Sequence, residues 1–409
     1  MKFWKSVSTG GLGNTRCRYP GSGRRTSRAL LRSVLLFAGI SFQAHAQDSN
    51  AQAAPPAAIP TFSTEDIARQ AFFYIGGHYV GDPGKEIMHG AMYVEVLVPK
   101  KIRHPYPIAY LHGAGQTATD WLQTPDGRAG WAYYFAKQGY VQYLEDYPTR
   151  GRSAYVPGVD GKLTIRPAPQ LEKIWTALQE KGDWPQAKKG GAWPGKGTMG
   201  DPVFDNFVKT QVQFLQDNVE TEKLNLDANT ALLDTLGTPV ILILHSQGGA
   251  SGFELADARP NLVKGLIGIE PAAPPLEAVY LGSGKALIWG LTNLPVHYDP
   301  PIHDPSELQV VKQDQPDQPD LVACWIQTEP ARQLINLAKI PVLEVSGEAS
   351  YHRMYDHCDA KWLNQAGVKT TFLKPEDLGI HGNGHEMMLE KNSDEIAKYL
   401  ESWIERNIH

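Results

Sequence analysis

Residues 240–249 read VILILHSQGG. Five apolar, mostly β-branched or leucine residues run into His245, Ser246 and Gln247 and then two glycines. A short, wholly apolar run closed by small residues reads as a strand buried on both faces. The segment after it, GGASGFELADA, has helical spacing. A serine on a tight strand-to-helix turn matches the pattern G-x-S-x-G, in which the hydroxyl stands exposed at the sheet edge. Here Leu244 replaces the first glycine, while Gly248 keeps the second. The start of the following helix offers partial positive charge to an anion forming near Ser246. The bland alternative is a plain helix cap; the strand-to-helix setting favours the nucleophile. The nucleophile reading therefore needs a base, an acid and an oxyanion site elsewhere in the chain.

Working outward, strand-like and helix-like segments alternate. FFYIGGHYV (72–80) and AMYVEVLVP (91–99) suggest an antiparallel start, and PIAYLHG (107–113) a buried strand. GWAYYFAKQ reads as a helix, YVQYLEDYP as a strand, and FDNFVKTQVQFLQD (204–217) as a helix. VKGLIGIEP, IPVLEVSGE and VKTTFLKP read as strands, and NSDEIAKYLESWIERN as a terminal helix with Asn392-Ser393 at its cap. Such alternation predicts a mostly parallel central sheet flanked by helices, an α/β fold. Two stretches break it, 150–203 and 271–325, rich in Trp, Gly, Pro and charge. Long irregular insertions in a compact domain are often lids or binding loops, and both are expected over the C-terminal sheet edge where open α/β sheets bind ligands. Their aromatic residues Trp175, Trp184, Trp193, Tyr280 and Trp289 either line an apolar pocket or pack the lids.

A serine hydroxyl needs a base to attack, usually a histidine, and in this fold the order is serine, acid, histidine. LGIHGNGHEMMLEKN offers His385 after Gly-Asn-Gly, with His381 as runner-up. For the acid, LIGIEPAAPP puts Glu270 at a strand end, 24 residues past Ser246; Glu348 and Asp356 stand behind it. One oxyanion donor is expected from the amide after the nucleophile, Gln247. The other is expected in HGAGQT (112–117), at Ala114 or, alternatively, Gly115. A metal reading draws on His352, His357, Cys358, His381, His385 and Glu386, but HGNGH lacks the helical spacing of a zinc motif. The expectation is no metal and no cofactor.

The ordered set HGAGQT, TPDGRAGWAYYFAKQGY, DYPTRGRSAY, HSQGG, GIEP and GNGH resembles the α/β-hydrolase superfamily over roughly residues 70–405. More narrowly it resembles secreted bacterial carboxylesterases whose triad acid is a Glu after strand six. The resemblance implies Ser246, Glu270 and His385 as nucleophile, acid and base, and the HGAG stretch as the oxyanion loop. Some members carry adjacent cysteines in that loop, where this chain has Ala114-Gly115. It implies hydrolysis of carboxylic esters; lactone, amide or thioester cleavage by the same triad, or a binding protein on an inactive hydrolase fold, are the alternatives.

The first 46 residues are basic, then apolar (ALLRSVLLFAGISF), then end Ala44-His45-Ala46. That is the pattern of a secretory signal peptide cleaved after Ala46, so a periplasmic or secreted protein is expected. Residues 47–65 read as a flexible segment, and 66–409 as the hydrolase domain. Cleavage removes eight Lys and Arg and no acid, taking the formal charge from −5 to −13. Such an acidic chain excludes nucleic acid and stable membrane association after cleavage. A small-molecule ester is the expected partner; the oligomeric state stays open, a homodimer included. Cys324 and Cys358 would remain as a pair, able to form a disulfide in an oxidising compartment.

Overall fold

The computed structural model describes residues 59–409. The expected signal peptide and the first part of the 47–65 segment lie outside the described residues. Eight strands form the central sheet: β1 (Ile67–Val80), β2 (Ile87–Pro99), β3 (Ile108–Leu111), β4 (Gln142–Asp146), β5 (Val240–Ser246), β6 (Val263–Pro271), β7 (Val342–Val345) and β8 (Thr370–Leu373). Their spatial order is β1-β2-β4-β3-β5-β6-β7-β8. β1–β2 and β2–β4 are antiparallel; every later pairing is parallel.

Six longer helices accompany them: α1 (Trp131–Gln138), α2 (Pro202–Thr210), α3 (Asn218–Leu236), α4 (Gly248–Ala258), α5 (Asp356–Gln365) and α6 (Ser393–Asn407). The even strand run of β5 follows from burial on two sides. Ile241 and Ile243 enter a cluster with Phe135 of α1 and Leu400 of α6. Val240, Leu242 and Leu244 enter a second cluster with Phe253 of α4 and Trp362 of α5. Helices thus cover both faces, as parallel strands require.

Two expectations are corrected. The helical reading of 204–217 holds only to Thr210: the chain then turns, Val212 N–H donates to the Gly115 carbonyl at 2.8 Å, and Phe214–Leu215 pair antiparallel with Leu163–Thr164. That tertiary contact outweighs the local apolar spacing. Asn392 does not cap α6 with its side chain. Its amide instead donates to the His381 carbonyl (3.1 Å) and to Asn383 Oδ1 (3.0 Å), tying down the GNGH loop.

In the first long insertion, Trp175, Trp184 and Trp193 are buried in the core cluster beside α6. In the second, Trp289 packs on the α5 side. Cys324 and Cys358 are joined by a disulfide, which links this insertion to α5.

Candidate active site

Ser246 ends β5 with φ 51°, and the next residues open α4. A non-glycine residue with positive φ costs of order 1–3 kcal/mol and persists only where its surroundings enforce it. Enforcement comes from close packing around the turn. A Cβ on Gly248 would stand 2.8 Å from the Leu111 carbonyl oxygen of β3. A Cβ on Gly113 would stand 3.0 Å from Ser246 Cβ, so the HGAG loop presses directly on the serine. Leu244 in place of the usual glycine is accommodated one helical turn on. A Cβ at Gly252 would fall 2.3 Å from Leu244 Cδ1, so the space for a large side chain on β5 comes from a missing one on α4.

Glu270 sits in an irregularity of β6. His245 faces Ile269 but Ser246 faces Pro271, which leaves Glu270 as the extra residue, at φ 48°. A bulge re-aims a side chain, and this one sends the carboxyl into the interior, fully buried. Ala272 N–H donates to the Ser246 carbonyl at 2.7 Å, locking the two strand ends together. Gly347 N–H donates to Glu270 Oε1 and Ser350 Oγ–H to Oε2, both at 2.6 Å. His385 Nδ1 lies 2.6 Å from the same Oε2. A third donor at Nδ1 would leave the imidazole lone pair on Nε2. Nε2 is buried and has no hydrogen-bond partner among the described residues. Burial pushes the Glu270 carboxyl up, to about 8, against the charge of His352 and the Ser350 and Gly347 donors. Burial also holds His385 well below the ordinary imidazole range, helped by His245, His352 and Arg166. Desolvation therefore penalises either group carrying its charge alone.

The runner-up residues pair elsewhere. His381 Nδ1 meets Glu348 Oε2 at 3.1 Å, with His381 largely exposed. Asp356 Oδ1 meets His352 Nδ1 at 2.8 Å, and both are buried. The His352 ring stacks on His385, centroids 4.6 Å apart. His245, the residue before the serine, places Nε2 3.1 Å from the His385 carbonyl oxygen. Potential metal-ligating atoms also gather here, in Glu270, His352 and His385 and in His245, His385 and Glu386, as well as in Cys324, His357 and Cys358. The carboxyl–imidazole contact and the disulfide account for the first and last of these groups.

A cavity of about 710 Å³ is lined by Ser246, Gln247, Ala114, Tyr351 and His352. The amides of Gln247 and Ala114 donate no backbone hydrogen bond among the described residues. Gly115 does not line this cavity; it is at φ 78° with its carbonyl held by Val212. Arg150, a buried residue, organises both amide loops: it donates to the Gly113 carbonyl (2.9 Å) and to Gln247 Oε1 (2.5 Å). Because C=O and N–H of one trans peptide point oppositely, holding the Gly113 carbonyl on Arg150 turns the Ala114 N–H the other way. Gln116 completes the loop, its Oε1 accepting from Gly113 N–H (2.9 Å) and its Nε2 donating to Glu386 (2.7 Å). Arg150 and Gln116 lie within DYPTRGRSAY and HGAGQT, but neither is given a role by the sequence. The insertion tryptophans Trp175, Trp184 and Trp193 do not line the cavity; its apolar wall comes from Ile165, Phe214, Leu281 and Leu287.

Sheet order, the strained serine turn and a cavity above the C-terminal strand ends define an α/β-hydrolase. The chain belongs to that superfamily, in the same family as the probable secreted lipase phiG of Fungal sp. (strain ATCC 74256), to which it is 43% identical over 337 residues, covering 82% of this chain and 89% of that protein. A solved structure described as that of a novel bacterial esterase superposes with a TM-score of 0.58 at 22% identity, over 85% of this chain and 99% of that one, a likeness of fold. No family model matches the sequence.

Proposed function

We propose that the protein is a secreted serine hydrolase of carboxylic esters, acting through Ser246, His385 and Glu270. The observation that supports this is the 2.6 Å contact of Glu270 with His385 Nδ1, together with an Nε2 that has no partner among the described residues and a His385 carbonyl 3.1 Å from Nε2 of His245, the residue before Ser246. On this reading Nε2 takes the Ser246 proton as Oγ attacks the ester carbonyl. The Ala114 and Gln247 amides receive the oxyanion. Collapse of the tetrahedral intermediate expels the alcohol, which takes the proton back from His385. A water then repeats the sequence on the acyl-enzyme and regenerates Ser246. Ester chemistry is supported by the lipase relative and by the esterase fold neighbour.

Secretion is supported by the same relative's description, by the leader-like first 46 residues and by the Cys324–Cys358 bond, which persists in oxidising compartments. Among the described residues no helix is long and apolar enough to cross a membrane. The test is labelling by a fluorophosphonate together with a panel of p-nitrophenyl esters of rising chain length. Label and turnover both vanish in Ser246→Ala while the fold is retained. Turnover that survives Ser246→Ala sinks the proposal.

A further inference from the structure

Arg166 lines the same cavity as Ser246. Its Nε is buried and has no hydrogen-bond partner, and its guanidinium makes no ion pair among the described residues. It is held by aromatic rings instead, 5.5 Å from the centroid of Trp175 and 5.6 Å from that of Phe214. Arg150 lies 5.5 Å from the same Phe214 ring and spends its own donors on Gly113 and Gln247, again with no carboxylate. Two guanidinium groups thus flank one ring beside the serine without a counter-ion.

The acidic residues in the cavity wall are engaged elsewhere. Asp217 accepts from the Val219 and Glu220 amides at the start of α3. Glu222 accepts from the backbone and side chain of Asn293. A buried, unsatisfied guanidinium N–H is costly, and rings alone supply no acceptor in its plane. A carboxylate suits the planar fork of an arginine in both geometry and charge.

We propose that the cavity selects esters bearing a carboxylate in addition to the scissile group, with Arg166 as the residue that binds that carboxylate. The inference rests on the ester-hydrolase reading above and deepens it. Arg166 stands 5.5 Å from the centroid of Trp175, on which the His385 ring stacks at 5.8 Å. An anion on Arg166 is therefore placed in the neighbourhood of the reacting groups rather than at a remote surface.

The experiment compares kcat/KM for three esters: neutral p-nitrophenyl butanoate, the p-nitrophenyl monoester of glutaric acid (carboxylate on the acyl side) and 4-(butanoyloxy)benzoate (carboxylate on the alcohol side). The variants are Arg166→Gln and Arg166→Lys. The expected result is that one anionic ester is preferred over its neutral counterpart. That preference falls roughly 10- to 100-fold in Arg166→Gln, the worth of a hydrogen bond to a charged group, and recovers in part in Arg166→Lys. Which anionic ester responds tells on which side of the scissile bond the carboxylate lies. In the unmodified protein, kcat/KM for that ester also falls with added salt while the neutral one holds; this arm does not depend on the variants folding. An unchanged anionic-to-neutral ratio in Arg166→Gln, with both esters hydrolysed and Ser246 labelled, overturns the inference and leaves the hydrolase reading standing. Absence of labelling and of all ester turnover overturns the hydrolase reading itself, and this inference with it.

Discussion

Leu244 on β5 occupies the space that a side chain on Gly252 of α4 would need, with a hypothetical Cβ at 2.3 Å from Leu244 Cδ1. The two residues are complementary in size, and the pairing explains how the serine turn forms without the usual glycine two residues before the nucleophile. Gly252→Ala is expected to destabilise the protein by about 1–3 kcal/mol through overpacking. In a Leu244→Ala background the same change is expected to stabilise, by up to about 1 kcal/mol, because only the helical preference for Ala over Gly remains. A double-mutant cycle in urea reads this reversal of sign. Additive effects would show that the two positions do not compete for space.

Glu270 meets His385 at Nδ1 through a carboxyl that also receives Ser350 and Gly347. On the proposed mechanism, Glu270→Gln puts an amide donor where the imidazole N–H must point and favours the tautomer with its proton on Nε2. The base is then blocked. A loss of roughly 10²–10⁴ in kcat is expected, with KM nearly unchanged and the melting temperature kept. Steady-state kinetics on a p-nitrophenyl ester measures it; a loss confined to KM contradicts the assignment.

Arg150 touches neither the serine nor the histidine in any hydrogen bond, yet it holds the Gly113 carbonyl and the Gln247 side chain at once. Removing it frees the two loops that carry the Ala114 and Gln247 amides. Arg150→Met is expected to lower kcat by roughly 10²-fold, toward the cost of losing an oxyanion donor. Arg150→Lys, which cannot span both acceptors, is expected to fall between. A purely structural role would instead lower the melting temperature of both variants and leave kcat per folded molecule intact.

The parts of this site that were legible in the sequence are those written into strand ends. The apolar run before Ser246, the lone Glu closing LIGIEP and the Gly-Asn-Gly before His385 each stand out locally. Arg150, Arg166 and Gln116 do not, because their partners are set by tertiary closure: Gln116 meets Glu386 across 270 positions. Helix α3 was missed for a related reason. It buries Glu222, Asn225 and Asn229 alongside Ala228 and Leu232, so its inward face is not apolar and periodicity gives no stripe. Helix α5 likewise buries Asp356 and Asp359. The 204–217 segment shows the opposite failure, a helical pattern cut short by the bond from Val212 to Gly115 of the HGAG loop.

One buried acid makes stability depend on pH in a predictable direction. Glu254 of α4 is pushed up to about 11, by burial first and then by the charge of Glu222. An unfolded Glu ionises near 4.3. Between those values the folded chain binds the extra proton, so this group's contribution is present below pH 4 and is lost as pH rises. Glu254→Gln removes that loss. The variant is expected to match the unmodified protein near pH 4 and to gain on it as pH rises toward 9. Melting temperatures across that range test the sign; a gap that narrows with rising pH refutes it.

Trp175 lies face to face with His385, ring centroids 5.8 Å apart. The first insertion is therefore a buttress for the imidazole as well as a roof, and it is not an interchangeable part. Grafting a different loop in its place to admit bulkier molecules would loosen the ring proposed to shuttle protons. New specificities in this scaffold are better sought by single changes at Ile165, Leu281 or Leu287, which shape the chamber without touching that stack.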